Sequence, residues 1–93
     1  MNRARRVPTE FERRVYAVVR RIPKGQTRSY QWVARQLGDP ALARAVGNAL
    51  NRNPDTRRTP CHRVIRSDDT LGGYAKGIRK KRALLRRENA RPR

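Results

Sequence analysis

The sequence is poor in almost everything except arginine. Its 93 residues include one Cys, one His, one Trp, one Phe and only seven acids. A single cysteine forbids an internal disulfide and points to a reducing compartment, so a cytoplasmic location is expected. One Cys with one His cannot supply the three or four ligands of a metal site, and no second Cys is present to resolve an oxidised thiol. Neither a Gly-rich phosphate loop nor a dinucleotide fingerprint occurs, so no metal and no cofactor are expected. No apolar run reaches roughly 15 residues, which argues against a signal peptide and a membrane span. With 35% apolar residues, no repeat and no second domain, the core must be compact and built from few elements.

What is abundant is positive charge. Twenty-five Lys plus Arg against seven acids give a net charge of +18, and 21 of the cations are Arg. A field that strong works against compactness and favours a polyanionic partner. Arg suits forked contacts to phosphates and base edges, so nucleic acid leads. Genomic composition or a hot habitat would also enrich Arg. A membrane-surface helix fits less well, because no basic face adjoins a broad aromatic or leucine face.

Residues 1–8 read as a basic flexible tail, 9–89 as one domain and 90–93 as a polar tail. "PTEFERRVYAVVRRIP" spaces Phe11, Val15, Val18, Val19 and Ile22 as a helix, with Thr9 as N-cap and Pro23 as stop. Ser29 caps a second helix, "YQWVARQLG", which turns Val33, Ala34 and Leu37 inward and ends at Gly38. Asp39 caps a third, with Pro40 at its first position and Leu42, Val46, Ala49 and Leu50 as its apolar stripe. Two short helices across a tight Gly-containing turn read as a helix-turn-helix, with Arg44, Asn48 and Arg52 on the polar side of the second. "NPDTRRTP" is a loop, "HRVI" a short strand and "RSDDTLGGY" a hairpin-like turn. A last helix, "KGIRKKRALLRRE", is expected to bury Ile78, Leu84 and Leu85. The fold class expected is mostly α, a small winged helix-turn-helix-like domain with a minimal β element.

The only Cys and the only His stand together in "TPCHRVI", residues 59–65. A lone Cys is commonly a small buried hydrophobe. A nucleophilic thiol instead needs a lowered pKa and a base within reach. Adjacency alone does not supply the base, since neighbours in an extended strand point to opposite faces. Among the few acids, Glu88 stands out for orienting His62, because it ends a helix that must pack on the core. Both readings of Cys61 remain open from spacing alone.

"PCHRVI" also resembles the active-site motif of the O6-alkylguanine-DNA alkyltransferases, single-use repair proteins that take an alkyl group from guanine onto cysteine. "SYQWVA", "RAVGNALNRNP", "LGGYAKG" and "KKRALLRRE" resemble, in order, that family's preceding helix, its recognition helix with an asparagine hinge, its substrate loop and its final helix. The five motifs run in register from about residue 10 to 88. The resemblance implies Cys61 as alkyl acceptor, His62 as water-linked base and Glu88 as the group orienting it. It implies Arg44 as the finger filling the space of the flipped guanine, Tyr30 beside the target phosphate, and Asn53 bracing the Cys-bearing turn. Val64 and Tyr74 would line the base pocket, and Arg63 would serve structure or phosphate binding. Each has a plainer reading: Tyr30 as a core residue, Arg44 as a solvated cation, Asn53 as a helix cap, Tyr74 as a turn aromatic.

The implied partner is double-stranded DNA containing O6-alkylguanine, engaged by a monomer without cofactor. A base inside a duplex cannot reach a thiol, so it must be flipped out. Full-length members often carry an additional N-terminal domain, and this chain resembles the C-terminal one. Two departures stand out. "DTRRT" replaces an apolar strand before the Pro-Cys pair, and Ala75 stands where a serine donor is common. The polar segment is closer to the alkyltransferase-like proteins, which bind and flip alkylguanine without a cysteine and recruit excision repair. The retained Cys61 and Glu88 favour transfer.

Overall fold

The computed structural model describes residues 8–68, 71–72 and 77–89. Helix α1 spans Glu10–Val19, strand β1 Arg28–Ser29, α2 Tyr30–Gln36, α3 Ala43–Asn51, β2 Val64–Ile65 and α4 Ile78–Arg87. Short 3₁₀ turns cover Pro40–Leu42 and Cys61–Arg63. The fold is mostly helical around a two-stranded sheet, in which β1 and β2 run parallel with Arg28 opposite Val64 and Ser29 opposite Ile65.

Local chemistry sets the helix starts. The Thr9 hydroxyl accepts from the Glu12 N–H at 3.1 Å, and Glu12 Oε1 accepts from the Thr9 N–H at 3.0 Å. This reciprocal pair satisfies two donors that a helix start leaves without intrahelical partners. Ser29 and Asp39 cap the next two helical segments by accepting from the Trp32 and Ala41 N–H groups. α1 stops at Val19 and tightens through bonds from Arg21 to Val18 and from Ile22 to Val19, just before Pro23.

Val15, Val18, Val19 and Ile22 pack with Val33, Ala34, Val46, Ala49 and Leu50 in one buried cluster that also holds Cys61 and Val64. Each Val, Leu or Ile side chain so buried contributes about 1.5–3 kcal/mol. Two polar ties lock α1 onto α3. The Tyr16 hydroxyl donates to the Ala49 carbonyl at 2.7 Å, and the buried Glu12 accepts from Arg52 Nε at 2.6 Å.

The structure departs from the sequence-based expectations at four places. The third helix does not begin at Pro40: a 3₁₀ turn comes first and the α-helix starts at Ala43. In "HRVI" only Val64 and Ile65 are strand, because His62 and Arg63 complete the 3₁₀ turn that Cys61 opens. The strand's partner is Arg28–Ser29, whose Ser29 is expected from sequence only as a helix cap, and the pairing is parallel, so the described residues hold no hairpin. In α4, Ile78 is 42% exposed and Lys81 is 0% exposed. The helix meets the described chain through Lys81, Leu85 and Glu88, from one turn beyond Ile78 onward. Tyr74 and Ala75 lie outside the described residues.

Glu12 serves the helix cap and the inter-helix tie at once. Glu12→Ala is therefore expected to cost about 1–3 kcal/mol, read as a fall of the thermal midpoint by roughly 5–15 °C for a domain this small. Glu10→Ala, at an exposed first-turn position, serves as control. Equal, small effects of the two would show that the reciprocal cap does not carry this junction.

Candidate active site and DNA-facing cleft

Tyr30, Gln31, Ala43, Arg44, Gly47, Asn48, Asn51, Cys61, Arg66 and Ser67 enclose a cleft of about 530 Å³. Cys61 sits at its floor, 3% exposed. Arg44 and Asn48 stand exposed on the outer side of α3, one turn apart, so the helix carries them along the cleft wall. Gly47 lies beside the Tyr30 ring, where a Cβ would make an ordinary contact at 3.8 Å. Gly72 is tighter, with φ at +71° and the Tyr30 hydroxyl 2.9 Å from where its Cβ would stand. Any side chain at 72 would force Tyr30 or the local backbone to shift.

The Cys-bearing turn is held from several sides. Asn53 Nδ2 donates to the Thr59 carbonyl at 3.0 Å and reaches Cys61 Sγ at 3.5 Å, while its Oδ1 accepts from the Asp55 N–H. The 3₁₀ turn resolves the problem posed by adjacent Cys and His. With three residues per turn, neighbours diverge by about 120° rather than lying on opposite faces. Cys61 therefore faces the α3 cleft while His62 packs toward α4.

His62 Nε2 lies 2.9 Å from Glu88 Oε2. Arg63 donates to both oxygens of the same carboxylate, Nε at 3.0 Å and Nη2 at 2.8 Å, and its Nη1 donates to the Ile22 carbonyl at 2.9 Å. Burial opposes ionisation of Glu88, but the hydrogen bonds from Arg63 and His62 outweigh it and bring its pKa down to about 2. For His62 the balance runs the other way. Burial lowers its pKa, although Glu88 pulls upward through hydrogen bond and charge. At neutral pH the pair is thus a neutral imidazole beside a carboxylate. An ionised carboxylate can only accept, so Nε2 carries the ring proton and Nδ1 keeps its lone pair. That Nδ1 is buried and has no hydrogen-bond partner among the described residues.

Lys81 is the residue that sequence reasoning missed. Its Nζ donates to the Val64 carbonyl at 2.7 Å and to the Leu71 carbonyl, and lies 3.4 Å from the Tyr30 hydroxyl. Burial lowers its pKa to about 8, against an opposing pull from Cys61. Burial also raises the Tyr30 pKa, with Cys61 adding to the effect. One signal pointed to Lys81: it lies four residues before Leu85, on the row the helix must bury.

Of the site residues expected from sequence, the structure brings Cys61, Tyr30, Arg44 and Asn48 to one cleft, braces that cleft with Asn53, and places His62 and Glu88 behind it. Two are placed elsewhere. Arg52 turns its guanidinium to Glu12 on α1, and Asn51 takes the cleft position instead. Each four-residue step along a helix advances about 40° beyond a full turn, so Arg52 has rotated away from Arg44. Val64 has its side chain in the core and its carbonyl on Lys81. Arg63 takes the structural one of its two expected roles. Among the described residues no three His, Cys, Asp or Glu side chains converge as a metal site would need.

A helix-turn-helix whose second helix fronts a cleft floored by a thiol defines a DNA-binding domain built around a cysteine. The chain belongs to the family described as 6-O-methylguanine DNA methyltransferase, DNA binding domain, which matches residues 10–90. A methylated-DNA–protein-cysteine methyltransferase of Mycobacterium tuberculosis is 49% identical over 83 residues, 89% of this chain and 50% of that protein. The crystal structure of Mycobacterium tuberculosis O6-methylguanine methyltransferase superposes with a TM-score of 0.80 at 49% identity, covering 87% of this chain and 49% of the other. The S. pombe Atl1 protein, in complex with damaged DNA containing O6-carboxymethylguanine, gives a TM-score of 0.76 at 34% identity over 85% of this chain and 75% of its own. The chain thus spans about half the length of the methyltransferases it matches.

The depressed pKa of Glu88 fixes an acid-side prediction. Its stabilising contribution is present above the ordinary value of 4.5 and is lost as pH falls toward about 2. The lowered pKa of His62 works in the same direction below 6.5. Wild type should therefore lose more stability in urea between about pH 5 and pH 3 than Glu88→Gln does. Parallel losses would show that this carboxylate is not the acid-labile group.

Proposed function

We propose that the chain transfers an alkyl group from O6 of an alkylated, flipped-out guanine in DNA to Cys61. The observation that carries this reading is the pairing of neutral His62 with ionised Glu88, directly behind the cleft thiol. Such an imidazole can take the thiol proton on Nδ1, directly or across one water, while Glu88 stabilises the imidazolium that results. The thiolate then attacks the alkyl carbon, an S–C bond forms, the C–O6 bond breaks and guanine leaves with the electron pair on O6, to be protonated. No electrons are gained or lost overall, so no cofactor is required. The product is a thioether, so one molecule repairs one lesion. A cytoplasmic, reducing setting suits a nucleophile that must remain a free thiol.

Arg44 would enter the duplex from α3 and occupy the space the flipped base leaves, with Asn48 and Asn51 along the same wall and Tyr30 beside the phosphate. Tyr74 would close the base pocket. The names of the methyltransferase relatives support transfer. The likeness to Atl1 supports a second reading, in which the protein binds and flips the lesion for excision repair without transfer.

Intact mass separates the two. With O6-methylguanine DNA and no additive, wild type should gain one methyl mass at Cys61, stoichiometrically. Cys61→Ala should lose transfer and keep lesion binding. Glu88→Gln should slow transfer by about tenfold or more, since it leaves His62 poorly oriented. A wild-type protein that binds the lesion but keeps its unmodified mass would replace transfer with the binding-only reading.

Arg44→Ala tests the finger. Flipping costs a few kcal/mol before compensation, so transfer from duplex DNA should slow by roughly tenfold to a hundredfold, and transfer from free O6-benzylguanine by less than about threefold. Duplex affinity of wild type should fall steeply with salt as counterions are released. Equal slowing on both substrates would remove Arg44 from the flipping step.

A further inference from the structure

α4 divides cleanly into two faces. Lys81 and Leu85 are buried and Leu84 is half-buried, whereas Arg79, Lys80, Arg82, Arg86 and Arg87 are all exposed. At 3.6 residues per turn, Arg79, Arg82 and Arg86 stack in one row, and Lys80 and Arg87 stand in the row beside it, opposite the buried side. None of the five makes a hydrogen bond or ion pair with another described residue. The helix holds no acid, and the carboxylate that caps it, Glu88, is turned inward onto His62 and Arg63. Like charges three and four residues apart repel one another, so this face destabilises the isolated protein. A polyanion would relieve that repulsion.

The face is separate from the α3 cleft. α4 packs on the Cys61–Arg63 turn, and no residue of α4 lines the cleft that holds Arg44 and Asn48. Behind the turn a second cleft of about 460 Å³, lined by Arg57, His62, Arg63, Lys80, Leu84 and Glu88, carries the basic surface from α4 to the loop at Arg57. The two basic surfaces thus flank the Cys–His turn. The exposed side of α4 is about 15 Å long, a length over which a duplex presents roughly nine phosphate charges. Four of the five cations are Arg, whose forks match phosphate oxygens.

We propose that the α4 face binds the phosphate backbone of a second DNA duplex while α3 holds the first, so that one molecule bridges two duplex segments. The proposal rests on the DNA-binding reading of α3 for the first duplex only, and it is independent of alkyl transfer. Contacts from α4 would be to phosphates alone, hence insensitive to sequence and to the lesion.

The test uses the full chain, an undamaged duplex labelled with a donor dye and a second labelled with an acceptor. At low salt, energy transfer between the duplexes should appear on adding protein, and native mass spectrometry should find one protein with two duplexes. Replacing Arg79, Lys80, Arg82, Arg86 and Arg87 together by Gln should weaken bridging at least about tenfold and change single-duplex affinity, read by anisotropy, less than about threefold. Its thermal midpoint should hold or rise as the repulsion is removed. If that variant does not fold, Arg79→Gln with Arg82→Gln, and Lys80→Gln with Arg87→Gln, should each give a partial loss. Single-duplex binding without energy transfer, complexes of two proteins with two duplexes, or bridging that survives the Gln variants would each overturn the proposal. Absence of even single-duplex binding would overturn the α3 reading, and the bridge with it.

Discussion

One carboxylate holds this structure's working parts together. Glu88 ends α4, and its two oxygens receive three donors: Arg63 twice and His62 once. Arg63 has a further N–H on the Ile22 carbonyl, just beyond α1. The last helix, the Cys-bearing turn and the end of the first helix therefore meet at a single charge-assisted junction. Such bonds are about twice as strong as neutral ones and far more demanding in direction. The junction fixes the imidazole in the ring plane and tautomer that leave Nδ1 available. Because the same carboxylate anchors α4, the site's chemistry and the docking of that helix share one group.

That economy reflects how few acids the chain has. Three more are spent on holding the fold. Glu12 closes a helix cap and ties α3 to α1, Asp39 caps the 3₁₀ turn before α3, and Asp55 accepts from the Arg57 and Arg58 N–H groups to shape the loop before Cys61. Among the described residues, every cation except Arg28, Arg63 and Lys81 is exposed. A field of that sign opposes self-association and favours polyanionic partners. Its core, by contrast, is a modest set of Val, Ala, Leu and Ile side chains, and buried polar ties such as Tyr16 to the Ala49 carbonyl hold the helix register that so small a core leaves loose.

Much of this was legible in the sequence where a short-range rule applies. The caps at Thr9, Ser29 and Asp39, the stop before Pro23 and the helix-turn-helix all follow from residues within a few positions of one another, and the structure contains them. So does the nearness of His62 and Glu88, which the family resemblance put together across 26 residues. Half of the sheet was legible: "HRVI" reads as a strand and Val64–Ile65 form one, whereas Arg28–Ser29 is too short to show any period. A structural role was one of the two expected for Arg63, but nothing local names its partner, a distant carboxylate. Arg52 was misplaced because steps of four drift around a helix. Lys81 failed a composition rule that assigns lysine to the surface, a rule its three oxygen neighbours override.

The buried lysine shows why the cleft is built as it is. A cation in an apolar interior is tolerated only where acceptors replace its water, and here they are the carbonyls of Val64 and Leu71 with the Tyr30 hydroxyl nearby. Those acceptors belong to β2, to the segment entering the tight Gly72 position, and to the first residue of α2. Lys81 therefore ties three segments around the cleft by satisfying its own desolvated head. Its charge also lies within electrostatic reach of Cys61. On the proposed reading, the neutral imidazole accepts the thiol proton and the buried cation favours the thiolate left behind. An extended strand through 61–63 would have turned Cys and His to opposite faces. The 3₁₀ turn lets one side chain face the α3 cleft while its neighbour reaches the anchoring carboxylate.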